Sequence, residues 1–297
     1  MVVRNYRYII QFLILILVLE VIAFFQLPDA NLHIIACDVG QGDAILATYR
    51  NFQILTDGGP ANGKVINCLS RHMPFWDREV EVVVNTHPQA DHYGGLTEIF
   101  RKYKVGYFVA NGLEVSSESN KVLEMEVGRG GAKVVNPVAG TSIRSSLISY
   151  DIFWPSENFL SAEGGNSREG KLGFYTSDRD PNDFSVQAVL SLGDFHALLT
   201  GDIGRELAGE VIPNLPVHNV NYIKVPHHGS KNGMTQDYLE VLEPKAVVIS
   251  VGRNNTYGHP SLEIIDLLKS KGVKTYRTDE SGDIEFVTNG ERFWEEN

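Results

Sequence analysis

The longest apolar run in the chain comes first: residues 8–27, YIIQFLILILVLEVIAFFQL, with Gln11 and Glu20 as its interior polar positions. Twenty helical residues reach about 30 Å, the hydrocarbon thickness of a bilayer. About fifteen Leu, Ile, Val and Phe at roughly −0.3 to −0.6 kcal/mol each outweigh one carboxylate at roughly +3. The pattern predicts a transmembrane anchor over 8–27 behind a short cytoplasmic N-terminus, 1–7. Arg4 and Arg7 precede the run and the next Lys or Arg is Arg50, so the positive-inside rule places the remainder of the chain outside the cytoplasm. A cleaved signal peptide fits less well, because the run exceeds a usual h-region and AFFQLPDANL offers bulky residues where a small-x-small site would stand.

After Pro28 the period changes. NLHIIAC, AILATY and FQILTDGG are short apolar runs closed by turn residues, and they read as neighbouring strands. A helical stretch near 62–72 leads to the strand EVEVVVNT. Leu96, Ile99, Phe100 and Tyr103 then fall at helical spacing before the strand VGYFVA. Residues 116–129 predict a helix and LISYDIFWP a strand, whereas 156–183, rich in Gly, Ser, Asn and charge, reads as a long loop or lid. A second series follows: FSVQAVLSL, FHALLTGD, a helix over 203–211, YIKVPHHGS, a helix near 234–242, AVVIS, a helix over 261–271, VKTYR and DIEFVT. Two mixed sheets, one from each half of a single 31–297 domain, with helices outside, would bury this pattern.

Composition narrows the picture. With 297 residues, 43% of them apolar, the chain can build an ordinary core. A formal net charge of −11 excludes a broad electropositive surface for nucleic acid, so a polyanionic substrate would need bound cations or a partner. Cys37 and Cys68 are too few for a disulfide scaffold or a cysteine zinc site. They read as two unpaired core thiols, with one bridge as the alternative.

The candidate chemistry stands at strand ends: Asp57 in ILTDGG, His87, Asp91 and His92 in VVVNTHPQADH, Asp202 in ALLTGD, and His227 with His228 in YIKVPHHGS. Strands lying side by side in one sense would bring these side chains to one rim. A divalent ion that activates water needs imidazoles and carboxylates with one position left open. This mixed nitrogen and oxygen set, free of thiols, suits zinc or manganese, as one ion or two. DVGQGD joins strand to strand with no helix after it, so it is a hairpin rather than a phosphate loop. Asp38 and Asp43 either reach the centre or cap that turn.

THPQADH, with TDGG before it and TGD and HHGS after it, resembles the His-x-His-x-Asp-His element of the metallo-β-lactamase superfamily. DVGQGDAIL, PNDFSVQAVL, KVPHHGSKN and YGHP are similar to the ComEC-type competence family, over nearly everything from Leu32 onward. The resemblance implies an α+β fold, a four-layer αββα sandwich, here preceded by one transmembrane helix. It also implies an extracytoplasmic metal-dependent nuclease that degrades one strand of incoming DNA. Full-length members carry many spans that form the DNA channel, so with one predicted span the channel would be a separate membrane protein. Carried over by motif, His87 belongs to a first metal site, and Asp91, His92, Asp202 as bridge and His227 to a second. His228 is the alternative ligand or, with Lys231, a group that offsets phosphate charge. Asn182, Asp183 and Ser185 would contact substrate, and His259 would protonate the leaving oxygen. Gln89 departs from the pattern where the superfamily has His and the competence family Asp, and its neutral carbonyl weakens the first site. The alternatives are another hydrolase on this fold, acting on a small phosphodiester, lactone or wall component, or a degenerate module that binds DNA or a channel protein.

Overall fold

The structure, a computed structural model, describes residues 2–164 and 170–296. Its first element, α1 (Val2–Phe25), carries a stretch, Tyr6–Phe24, of mean hydropathy 2.3, none of which is buried by the rest of the chain. An apolar helix that no protein covers is matched to hydrocarbon.

The strands follow as β1 (Leu32–Ala36), β2 (Ile45–Tyr49), β3 (Phe52–Thr56), β4 (Glu79–Asn85), β5 (Lys104–Ala110) and β6 (Lys133–Val135), all in one sheet. A second sheet holds β7 (Ser142–Ser145), β8 (Ile148–Trp154), β9 (Gln187–Leu192), β10 (Phe195–Leu199), β11 (Tyr222–Lys224), β12 (Ala246–Ile249) and β13 (Lys274–Arg277). The last two strands, β14 (Ile284–Thr288) and β15 (Phe293–Glu296), do not stay with the second half, as the sequence order suggested. They return to the first sheet, where β14 pairs antiparallel with β1 from Leu32↔Thr288 to Ala36↔Ile284. That pairing closes the backbone edge β1 would otherwise leave open.

The sheets face each other across a core to which Ile34, Ile54 and Val84 contribute from one side and Ile152, Leu190 and Val248 from the other. Their outer faces are apolar as well. Ile35, Leu55 and Val83 pack against α2 (Lys64–His72) and the helices α3 (Ala90–Tyr93), α4 (Leu96–Lys102) and α5 (Glu118–Gly130). Leu198, Ile223 and Val247 pack against α6 (Glu157–Ala162), α7 (Ala208–Val211), α8 (Gln236–Leu242) and α9 (Leu262–Ser270). Burial on both faces explains why VVV and AVVI are continuous apolar runs rather than alternating ones. The result is the expected αββα sandwich.

Two local expectations change. The 156–183 segment is not simply a lid: α6 is N-capped by Ser156 Oγ, which accepts from Phe159 N–H at 3.2 Å, and buries Phe159 and Leu160 in the core. Within that segment, residues 165–169 lie outside the described residues. The cysteines are not free thiols. Cys37, at the end of β1, is bonded to Cys68 on the inward face of α2, with Cα atoms 5.8 Å apart. Both lie in one buried layer, a proximity that a separation of 31 residues along the chain does not reveal.

Charge ties the same elements together on the surface. Glu285 of β14 stands between His33 Nδ1, at 2.7 Å, and His72 Nδ1, at 3.2 Å, while Asp283 lies 3.1 Å from His72 Nε2. Burial opposes the charge on His72, but Asp283 and Glu285 outweigh it and push His72 up to about 9. Despite burial, both carboxylates are held down at about 2. The raised histidine stabilises the fold fully below its unfolded pKa of about 6.5, and this is lost as pH rises through about 9. The carboxylates contribute above roughly pH 4, and their share is lost as pH falls toward about 2. Thermal melts are therefore expected to show Tm falling between pH 7 and 9, and His72→Gln to flatten that decline.

Candidate metal centre

Each donor hangs from a strand end. β3 and β4 run parallel, as do β10 and β11, so the turns after them gather at one rim where the two sheets meet. Thr86 and His87 follow β4, and α3 places Asp91 and His92 in its single turn. The DVGQGD loop packs onto this turn, with Asp43 N–H donating to Asp91 O at 3.2 Å. Gly42 (φ 133) is required there, since a Cβ would stand 2.1 Å from Asp91 O. After β11 the chain turns through three left-handed residues, His227 (φ 53), His228 (φ 52) and Gly229 (φ 76). Non-glycine residues hold that conformation at about 1–2 kcal/mol each. This turn sends His228 inward and leaves His227 partly exposed.

Four donor atoms converge. His92 Nε2 lies 3.2 Å from Asp202 Oδ2, and His228 Nε2 lies 3.1 Å from that oxygen and 3.4 Å from Asp91 Oδ2. Donors bound tetrahedrally at about 2.0–2.1 Å stand roughly 3.3–3.4 Å apart. His87, His92 and Asp202 form a second grouping whose donor atoms all lie within 4.8 Å of one another. The Nε2 atom of His87 is buried without a hydrogen-bond partner, and those of His92 and His228 face Asp202 Oδ2 without the alignment of a hydrogen bond. Such atoms call for an explanation, and a shared cation supplies one.

The other ring nitrogens prepare them for it. His92 Nδ1 bonds Asp57 Oδ2 at 2.8 Å, and His228 Nδ1 bonds the carbonyl of Ser250 at 3.0 Å. Asp57 also accepts from Thr86 N–H and Oγ1–H, both at 2.8 Å, which leaves Thr86 Oγ1 to accept from His87 Nδ1–H at 3.0 Å. With Nδ1 donating in all three rings, each Nε2 lone pair points into the centre. Ser185 Oγ, 3.3 Å from His87 Nδ1, accepts from Asp202 N–H at 3.0 Å and so orients two members of the cluster.

Without a metal the site carries protons instead. Burial opposes charge on His92, but Asp202 and Asp57 push it up to about 10. Asp202 and Asp43 likewise raise His228 well above the ordinary histidine range against its burial. Burial and the charge on His92 drive His87 down to about 3. One dication in place of the two imidazolium protons leaves the total charge unchanged. Lys224, at the end of β11 and 1% exposed, completes the balance. Its ammonium pairs with Asp43 and lies 3.2 Å from Asp202 Oδ1 and 3.0 Å from Gly201 O.

The site thus brings together His87, Asp91, His92, Asp202 and His228. His227 enters none of the metal-competent groupings among the described residues, whereas His228, the alternative ligand, enters two. Asp43 reaches the centre and lies 3.3 Å from His228 Nδ1, while Asp38 turns outward to Lys64 at 3.2 Å. His259 stands at the mouth with its ring centroid 6.5 Å from that of His228. Asp183 pairs with Arg179 at 3.6 Å and joins no grouping, Asn182 is buried beside it, and Lys231 is exposed. Gln89 serves by its backbone, its carbonyl accepting from His92 N–H at 3.0 Å, while its side-chain amide makes no hydrogen bond among the described residues. Sequence reasoning gave Lys224 no role. The available signal was a lysine inside a strand whose neighbours, YI and VP, are apolar.

The chain is similar to known proteins in sequence and in fold. The chain is 23% identical over 266 residues to ComE operon protein 3 of Bacillus subtilis, which takes in 84% of this chain and 32% of that protein. It is 24% identical over 278 residues to Recombination protein 2 of Haemophilus influenzae, covering 92% and 31% respectively. The chain spans about a third of the length of these relatives. Among solved structures, the metallo-beta-lactamase fold protein YhfI from Bacillus subtilis superposes with a TM-score of 0.51 at 8% identity, over 89% of this chain and 100% of that one. The family profile itself matches residues 38–253, from the DVGQGD loop past the HHGS turn, and the chain belongs to the metallo-beta-lactamase superfamily.

Proposed function

We propose that this chain hydrolyses DNA phosphodiesters with a divalent cation, zinc or manganese, at the outer face of the membrane. The observation that carries the reading is the convergence of Asp91, His92, Asp202 and His228, beside the unpartnered Nε2 of His87, in a chain similar to competence proteins. A cation held by these four residues would supply Lewis acidity toward a phosphoryl oxygen and a water nucleophilic at neutral pH. Asp57 and Ser250 fix the two ligand rings, and Asp202 N–H is held by Ser185. One cation is the favoured number, because Asp202 Oδ1 is taken by Lys224 and Gln89 adds no donor. The Cys37–Cys68 bond supports an oxidising, extracytoplasmic side, in keeping with Arg4 and Arg7 in the first turns of α1.

The test uses the purified full chain in detergent with labelled DNA and Mn²⁺, Zn²⁺ or EDTA, beside Asp91→Ala. DNA loss that needs metal and Asp91 supports the reading; equal loss in every tube rejects it. A panel of small phosphodiesters and lactones separates a nuclease from another hydrolase.

His259 is the group free to handle a proton at the mouth. Its Nδ1 has no partner, and burial together with the charges of His228 and His227 lowers its pKa, so it meets substrate neutral. It can accept a proton or bond a substrate hydroxyl as it stands; donation to a leaving oxygen requires prior protonation. His259→Ala is expected to lower turnover by roughly 10²–10⁴-fold with bound metal unchanged, read by kinetics beside elemental analysis.

A further inference from the structure

We infer that the loop ahead of β4, with Phe75 and Trp76 at its tip, rests in the interfacial layer of the bilayer that α1 crosses, so that the metal centre opens at the end of the domain away from the membrane. The inference rests on the reading of α1 as a span.

The tether is short and folded. Six residues, 26–31, separate Phe25 from Leu32, and even fully extended they would reach only about 20 Å. They are not extended: Asn31 N–H donates to Asp29 Oδ1 at 2.8 Å, and the same oxygen lies 3.0 Å from His33 Nε2. Gln26, one residue past the helix, accepts through Oε1 from Phe75 N–H at 3.1 Å. The membrane exit of α1 and the 73–78 loop are therefore joined by a direct bond.

At that junction the surface is apolar. Leu27, Phe75 and Trp76 are 60%, 52% and 43% exposed, and the two aromatic rings stack edge to face with centroids 4.9 Å apart. Scattered exposed apolar residues are ordinary, but an aromatic pair hydrogen-bonded to the end of a span stands where Trp and other aromatics are favoured, between hydrocarbon and water. The bilayer around α1 is the occupant that this placement selects.

The rest follows from strand direction. Phe75 and Trp76 precede β4 and His87 follows it, so the loop and the centre lie at opposite ends of a seven-residue strand, about 20 Å apart at 3.3 Å per residue. β1 repeats the arrangement, with the tether at Leu32 and the DVGQGD loop beyond Ala36. Substrate is then met from the aqueous side rather than at the bilayer surface.

The test places the full chain in nanodiscs of phosphatidylcholine with ordinary or brominated acyl chains and reads tryptophan emission. Bromine-dependent quenching is expected in a Trp294→Phe background, which removes the other exposed indole, and its loss when Trp76→Phe is added, since Trp154 is buried in the core. Because Cys37 and Cys68 are bonded to each other, a fluorophore can be placed on Arg50→Cys, in the turn beside the tether, or on Arg253→Cys, near the centre. Energy transfer to an acceptor lipid is expected from the first and lost from the second. Equal quenching with and without Trp76→Phe in the Trp294→Phe background, or transfer from Arg253→Cys alone, overturns the seating while the anchor stands. A chain that stays out of the discs overturns the anchor and the seating with it.

Discussion

His228→Ala is expected to weaken divalent-cation binding by at least about 100-fold and to abolish the proposed hydrolysis, whereas His227→Ala leaves metal content unchanged. Loss of a group that merely orients a ligand costs roughly 10–100-fold, so loss of the ligand itself reaches or exceeds the upper end. The two histidines are neighbours, yet the left-handed turn separates them in role. His228 Nε2 lies within 3.4 Å of both Asp91 and Asp202, with Nδ1 fixed by Ser250 O. The His227 ring stands 6.4 Å from that of His228 and 5.8 Å from that of His259, outside the donor cluster. Titration calorimetry with Mn²⁺ or Zn²⁺ and elemental analysis of each variant read the difference. Metal lost from His227→Ala but kept in His228→Ala would reverse the assignment.

The choice between His227 and His228 shows where sequence reasoning stops. Which of two adjacent histidines points inward depends on backbone dihedrals, and HHG carries no pattern of period 2 or 3.6 that would separate them. The clusters after β3, β4, β10 and β11 were legible because parallel strands buried on both faces leave continuous apolar runs, and ligands at their ends stand out against them. Cys37 meeting Cys68, and β14 crossing to the far side of β1, depend on long-range packing that no local window contains. Asp43 needed the same information: its place under His228 comes from Gly42 letting the DVGQGD loop lie against Asp91. Lys224 was readable in principle, because a lysine inside a central parallel strand must be buried and therefore paired.

Lys224→Met is expected to destabilise the metal-free protein by about 3–5 kcal/mol, the usual cost of removing one partner of a buried ion pair. Its ammonium touches Asp43 and Asp202, and both carboxylates are as buried as the lysine itself. Methionine fills much of the same volume, so the loss comes from one uncompensated negative charge shared by Asp43 and Asp202 rather than from a cavity. The same change predicts an opposite effect on metal. With Lys224 gone, Asp202 Oδ1 is released to serve as a further donor, so a divalent cation gains a contact that the two imidazolium protons it replaces do not. Urea denaturation without metal should therefore show the large loss, and saturating Mn²⁺ or Zn²⁺ should raise Tm by more in Lys224→Met than in the wild type. Equal metal-dependent shifts in the two proteins would mean that Lys224 supports the fold without withholding a donor from the metal.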